Sequence, residues 1–400
     1  MRCLFIENGD TVVEEGPADV FIINSCAITS VAEKGALQLV TRLRKKHPDA
    51  MIVVIGCIVE LQKKSGGVEI PGADLVIDNR KFDIVAQVRT YRRGLTSGTQ
   101  QEKSVSFVPN CGRVLLEIQK GCDNGCTFCI VPHIRGRSVS KPFQEYKKEL
   151  GMFVAQGYEE IVFAGLNLGF YRDGDYTLLD VLQYANANND IKSIRLSSLE
   201  PMNVGKGFID ALPTVTKLNP HLHISLQSGC ERILKQMNRK YTFEEYLTMI
   251  TKIRERIPGI AITTDIIVGF PGERESDFQE SVQNIIRCNF SDIHIFKYSQ
   301  RAQTPAAIMK NQVTEHQKAK RALVLRGVKM QARYRFMRDF VGKFESVLLQ
   351  KRISQDWIEG VTSHNIRILV KSTDPVDYGM LQAKITGIIT EQNAFYGVIS

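Results

Sequence analysis

The sequence predicts an α/β protein with three parts: a small parallel α/β sheet, a partial or full (β/α)6 barrel, and a small antiparallel β-barrel at the carboxyl end. Three observations carry this reading. Over the first 95 residues, β-branched apolar runs alternate with segments of helical period. The alternation resumes near residue 113 and supplies six β/α units. The last sixty residues switch to short β-type runs separated by turn residues. Buried strands separated by helices point to parallel sheets, because the crossover helices cover the sheet faces.

In the first part, ADVFIINSC (18–26), MIVVIGC (51–57) and ADLVIDN (73–79) are apolar strand runs. Between the first two, residues 30–47 have helical period and a basic last turn that suits the helix dipole. Residues 94–104, GLTSGTQQEKS, read as a linker. The domains are therefore expected at 1–95, 108–336 and 338–400. Barrel strands are expected at 114–121, 160–167, 193–200, 221–229, 260–273 and 292–299. A doubly wound open sheet is the alternative. Parallel barrels place chemistry where strands end, which directs attention to QKGC, GLN, SSLEP, LQSG, GFPGE and KYSQR. Residues 310–352 form a basic helical stretch with twelve Lys/Arg against three Asp/Glu. It reads either as a solvated helix face or as a source of sequence-independent phosphate contacts. The terminal runs FESVLLQ, RILVKS, LQAKITGIIT and FYGVIS form the small barrel.

Composition bounds the function. The 400 residues are 43% hydrophobic and 24% charged, which excludes disordered, collagen-like and disulfide-stapled classes. No apolar run approaches the roughly 20 residues that span a bilayer. The opening MRCLFIENGD carries acids where a secretory signal needs an apolar core. A cytoplasmic chain with no membrane partner is expected. The net charge of +9 permits a nucleic-acid partner without requiring one. In a reducing compartment the nine cysteines are metal ligands, catalytic groups or buried apolar residues. Cys111, Cys230 and Cys288 have no motif around them and read as packing residues. His223 and His294 alternate along strands and read as core or strand-end groups rather than ligands.

The strongest chemical signal is Cys122-Asp-Asn-Gly-Cys126-Thr-Phe-Cys129, directly after an expected strand. Three thiolates on one short loop can converge on a metal centre. An iron–sulfur cluster usually takes four cysteines, so three would leave one iron open to a substrate or cofactor. The alternatives are a structural zinc site completed by His133 and three unconnected buried cysteines.

GCDNGCTFCIVPHIRGRS resembles the signature of the radical S-adenosylmethionine (SAM) enzymes, and in particular the methylthiotransferases. Further similar blocks are Gly165–Asn167, Arg195–Pro201, His223–Gly229, Asp265–Glu273 and Tyr298–Ala307. The resemblance implies a 4Fe–4S cluster on Cys122, Cys126 and Cys129, with SAM on its open iron. Reductive cleavage of SAM then generates a 5′-deoxyadenosyl radical. Asn167, Gln227 and the Gly269 strand end are the candidates for holding SAM, with ordinary turn residues as the alternative. Asn24-Ser-Cys26 and Val54-Ile-Gly56-Cys57 resemble the blocks that hold a second 4Fe–4S cluster used in sulfur insertion. The family's first amino-terminal cysteine sits in a Gly-Cys-x-x-Asn segment that this sequence lacks, and residues 1–10 resemble the helix that follows it. A truncated start is expected. Substitution by Cys3 and loss of the second cluster are the alternatives.

The last sixty residues resemble a TRAM domain, an RNA-binding β-barrel, with Gln350 and Asn365 where the family usually has Glu and Tyr. Lys297 and Gln303 replace the usual Pro and Gly of two late blocks. Arg135, Arg137 and Lys141 are the candidates for reaching an anionic substrate. The blocks around 195–201 and 221–229 are most similar to bacterial enzymes acting on N6-threonylcarbamoyladenosine, at position 37 beside the tRNA anticodon. The isopentenyladenosine enzymes are the runner-up, and a form that cleaves SAM without sulfur transfer is a further alternative. The implied partners are tRNA and an electron donor such as flavodoxin or ferredoxin, with a monomeric chain.

Overall fold

The computed structural model describes residues 5, 9–13, 16–64, 67, 69–77, 84–95, 112–372 and 379–399. Cys3, Cys111 and most of the expected linker lie outside the described residues. The linker's first two residues instead complete the helix Ile84–Leu95. The chain divides into two compact units: 1–108 with 128–136 and 299–307, and 109–127 with 137–298 and 308–400.

The first unit is built on a parallel sheet of order β1 (Val20–Ser25), β2 (Met51–Gly56) and β3 (Leu75–Ile77). Every residue of β2 is buried, as a central strand covered on both faces should be. Ile52 and Val54 pack on one face with Val40, while Val53 and Ile55 face Ile84 and Val88 on the other. The helix Ser30–Lys46 starts at Thr29, whose side chain accepts from the Ala32 N–H. It ends on Arg44, Lys45 and Lys46, which complement the negative helix terminus. The short helix Val131–Arg135 belongs to this unit, and Ile130 and Ile134 are buried in its core beside Ile58.

The second unit carries six parallel strand positions. β4 (Arg113–Lys120) pairs with β6 (Glu160–Gly165), with the two-residue β5 (Val139–Ser140) on its outer edge. A short hairpin, β7 (Arg172–Asp173) and β8 (Tyr176–Thr177), follows. The third position is split: β9 (Ser193–Leu196) pairs with β6, and β10 (Ser198–Leu199) pairs with β11 (His221–Ile224). β12 (Ala261–Val268) and β13 (Asp292–Lys297) complete the order. Among the described residues β4 and β13 do not pair, so the barrel is partial, as one of the two expected forms. β6 and β13 each end two residues before the expected boundary, and β11 and β12 each end five before it. Gln227 at φ 70° turns the chain after β11, and Gly269 at φ 73° ends β12. Helices such as Phe243–Arg256 and Glu275–Arg287 cover the outside, the first closed by a Thr242/Glu245 capping box.

The last five strands, β14 (Phe344–Arg352), β15 (Trp357–Thr362), β16 (Arg367–Lys371), β17 (Gly379–Ile389) and β18 (Ala394–Ile399), close into a barrel. β16 and β18 run parallel, so the barrel is not wholly antiparallel. Arg195 of β9 is buried and ties this barrel to the larger one. Its guanidinium donates to the carbonyls of Thr362 (2.8 Å) and Ser363 (3.2 Å) and pairs with the buried Glu160.

The basic stretch forms the helix Glu315–Arg338. Much of its charge is held internally: Lys318 bonds the Tyr298 carbonyl, Arg321 pairs with Glu273, and Lys329 and Arg333 pair with Asp292. Lys320, Arg326, Arg335 and Arg338 remain exposed. Among the described residues no helix is long and apolar enough to cross a membrane.

Candidate active site

The loop after β4 carries Cys122 and Cys126, each partly buried, and continues to Cys129. Gly121 and Gly125 both take φ 66°, which lets the loop turn tightly without a Cβ penalty. A neighbouring turn clamps it. The Thr127 N–H donates to the Met237 carbonyl (3.1 Å), its hydroxyl donates to the Gln236 carbonyl (2.9 Å), and Asn238 Nδ2 donates to the Gly125 carbonyl (2.8 Å).

Arg239 follows that turn and is almost wholly buried. Its Nη1 donates to Cys126 Sγ at 3.1 Å. Its other nitrogens reach Glu200, the Ser225 carbonyl (3.1 Å) and the Tyr241 hydroxyl (2.9 Å). Burial alone would lower the Arg239 pKa, but Tyr241, Glu200 and Cys126 outweigh it and hold the group firmly cationic. Burial pushes the Cys122 and Cys126 thiols up, and at Cys126 the Arg239 charge pulls back. Burial thus favours the thiol form of Cys122 and Cys126, and a metal that binds them must displace their protons.

Asn167 lies at the end of β6, fully buried. Its N–H donates to Gln119 Oε1 (2.8 Å), and its side-chain amide donates to Asn124 Oδ1 of the cysteine loop (3.4 Å). Its own Oδ1 is buried with no hydrogen-bond partner. Such an orphaned acceptor is costly, and a bound donor beside the loop would satisfy it. Gln227 is buried at the β11 turn, with its N–H on the Asp265 carbonyl. The Gly269 N–H is committed to Glu273 Oε2 (2.6 Å), and a Cβ there would lie 2.3 Å from Lys318 Cγ. Gly269 thus closes the strand end through the chain's own contacts.

In the first unit Cys26 and Cys57 each directly follow a strand. The register pairs Ser25 with Gly56, so the two cysteines leave adjacent parallel strands at the same level. Gly56 takes φ 99°, and a Cβ there would sit 2.4 Å from the Ser25 carbonyl oxygen, so the turn requires glycine. Ser25 Oγ donates to the Ile55 carbonyl (2.5 Å) and accepts from the Ile58 N–H (3.3 Å), fixing the start of the helix Cys57–Lys64. Arg135 Nη2 donates to Cys57 Sγ at 3.1 Å. Arg137 is exposed and lies 3.5 Å from Asp123, while Lys141 pairs with Glu149. Gln303, where the family usually has Gly, takes the left-handed φ of 76° that glycine adopts without strain.

The sequence reading did not single out Asn124, Arg239 or the carboxylate of Glu200. Arg239 has no spacing signature; its only trace is a pair of cations before one aromatic in Asn-Arg-Lys-Tyr. Cys230 and Cys288 are buried, and burial pushes both thiols up to about 12, in keeping with packing roles.

Residues 116–285 match the Radical SAM superfamily, and residues 1–78 match Uncharacterized protein family UPF0004. Threonylcarbamoyladenosine tRNA methylthiotransferase MtaB of Bacillus subtilis (strain 168) is 32% identical, over 93% of this chain and 86% of that protein. The chain belongs to the radical SAM methylthiotransferases. Another similar member, the tRNA-2-methylthio-N(6)-dimethylallyladenosine synthase of Thermodesulfovibrio yellowstonii, is 33% identical over 88% of this chain and 84% of that one. The radical SAM methyltransferase TsrM of Kitasatospora setae shares the fold, with TM-score 0.52, 15% identity and coverage of 76% of this chain and 68% of that one. As a radical SAM methylthiotransferase the chain is a transferase that uses a 4Fe–4S cluster and SAM. Cys122 and Cys126, with the unpartnered Oδ1 of Asn167, whose side-chain amide reaches their loop, fit that pair of groups.

Proposed function

We propose that this methylthiotransferase converts N6-threonylcarbamoyladenosine at position 37 of tRNA to its 2-methylthio derivative, in the cytoplasm. The observation that carries the reading is the cysteine loop clamped against buried polar groups at the barrel mouth. Cys122, Cys126 and Cys129 would hold the radical cluster, and Asn167 would meet SAM. When bound, the reduced cluster and SAM supply the radical chemistry that activates the adenine carbon at position 2. Arg239 donates to a ligating sulfur, keeps its charge in the protein interior and holds the loop to the turn behind it. The polar strand ends orient the bound groups, and the barrel limits water around the reacting carbon. Cys26 and Cys57 would hold the second, sulfur-donating cluster, with Arg135 beside Cys57. Exposed Arg137, Lys320, Arg326, Arg335 and Arg338 offer phosphate contacts that carry no sequence information.

The substrate assignment rests on the MtaB similarity and on the blocks at 195–201 and 221–229. The dimethylallyladenosine enzyme is similar to the same degree and defines the second reading. Nucleoside mass spectrometry of tRNA from a strain lacking both methylthio modifications, expressing this chain, separates the two. The threonylcarbamoyl product supports the first reading, and the dimethylallyl product replaces it with the second. Iron analysis tests the second cluster: about eight atoms per chain fit two four-iron clusters, and about four fit one.

A further inference from the structure

We propose that His223, Asp265 and His294 form a binding site for one divalent transition-metal cation inside the partial barrel, distinct from the cysteine loop. The three side chains come from adjacent strands β11, β12 and β13. The register pairs Asp265 with His294, and His223 with Thr263, so the pleat sends all of them to one face. Asp265 Oδ1 lies 3.3 Å from His223 Nε2 and 3.2 Å from His294 Nδ1. One ligand atom from each of the three lies within 4.8 Å of the other two. The imidazole rings are stacked, with centroids 5.1 Å apart.

These spacings suit a metal. Ligands about 2.1 Å from a common ion are separated by roughly 3.0 Å in octahedral and roughly 3.4 Å in tetrahedral geometry. The two Asp–His distances fall between those values. The far nitrogen of His223, Nδ1, is held at 3.0 Å by Thr263 Oγ1, which also meets His221 Nε2 at 3.0 Å. A second-shell partner of this kind fixes a ligating imidazole in one orientation. A cavity of about 360 Å³ lies beside the three groups, lined also by Arg195, Ser197, His221 and Asn365. It has room for waters on the open side of an ion. The lining cations Arg113 and Arg195 share the one carboxylate of Glu160, which answers one of their two charges. Two imidazoles and one carboxylate favour manganese, iron, cobalt or zinc over oxygen-loving magnesium and calcium.

Without a cation the same groups make a hydrogen-bonded chain from His221 through Thr263 and His223 to Asp265 and His294, and the test must tell the two apart. The full chain with its clusters reconstituted is titrated with Mn2+, which is poorly matched to thiolates, and free Mn2+ is followed by its six-line EPR signal. One Mn2+ bound per chain is expected, released by added Zn2+ and reduced at least tenfold in affinity by His223→Ala and by His294→Ala. His294 is half exposed, so its truncation leaves the fold intact. Far-UV circular dichroism and cluster absorbance of H294A check this directly. Absence of stoichiometric binding at millimolar Mn2+, or equal binding by a folded H294A, would overturn the site and leave the hydrogen-bonded chain as its role.

Discussion

Replacing Arg239 with Met tests whether the cysteine loop is held from behind. The guanidinium is buried and meets four partners: Cys126 Sγ, Glu200, the Ser225 carbonyl and the Tyr241 hydroxyl. Met fills most of the volume but supplies no donor. Glu200 is the serious loss, because breaking a buried ion pair on one side costs about 3–5 kcal/mol. Burial already pushes the Glu200 pKa up, with Arg239 as the main force opposing it. In the variant it rises further, and the pH sign follows. A carboxyl whose folded pKa lies above its unfolded value destabilises the fold when the pH exceeds the unfolded value. The penalty disappears once both states are protonated. Urea unfolding of the cluster-free chain, wild type against R239M, should therefore show a deficit of about 3–5 kcal/mol at pH 7 that shrinks toward pH 4. A loss below about 1 kcal/mol at pH 7, or one that grows on acidification, would refute the reasoning.

Other outcomes follow from the same structure. Asn167→Ala removes the orphaned Oδ1 and the Nδ2 bond to Asn124 while keeping the backbone bond to Gln119; SAM affinity, read by equilibrium dialysis, should fall about tenfold, the worth of one good hydrogen bond. Gly269→Ala forces a Cβ to 2.3 Å from Lys318 Cγ at φ 73°, and urea unfolding should show a loss of about 2–4 kcal/mol. Burial, with Arg195 adding to it, pushes the His221 imidazole down to about 3. Since the unfolded chain takes up that proton near pH 6.5, stability should be complete above that pH. It should fall by up to about 1.4 kcal/mol per unit as the pH drops toward 3. His221→Gln should flatten the slope over the same window.

Local patterns were enough to locate most elements. The six barrel strands and the helix after Thr29 announce themselves through apolar runs, capping and charge, because burial and helix termini act on neighbouring residues. The cysteine spacing is a local signal too, because Cys122, Cys126 and Cys129 fall within eight residues. Strand ends were harder to place: β12 stops at the left-handed Gly269 between Val268 and Phe270, and β11 stops at Ile224, three residues before the left-handed Gln227. The split of the third strand into β9 and β10 also has no local cause; it arises where one strand must pair with β6 on one side and β11 on the other.

The sequence by itself determined the α/β alternation, the cysteine loop and the family, since each depends on residue types at short spacing. The tertiary structure alone decided which distant groups meet. Arg239 reaches Cys126 across 113 positions, and Arg195 fastens the last barrel through carbonyls 167 and 168 positions away. His223 and His294, which strand alternation alone would assign to the core, converge on Asp265 because β11, β12 and β13 pair in register. Register and strand order are set by the packing of the whole sheet, and no local stretch of residues encodes them.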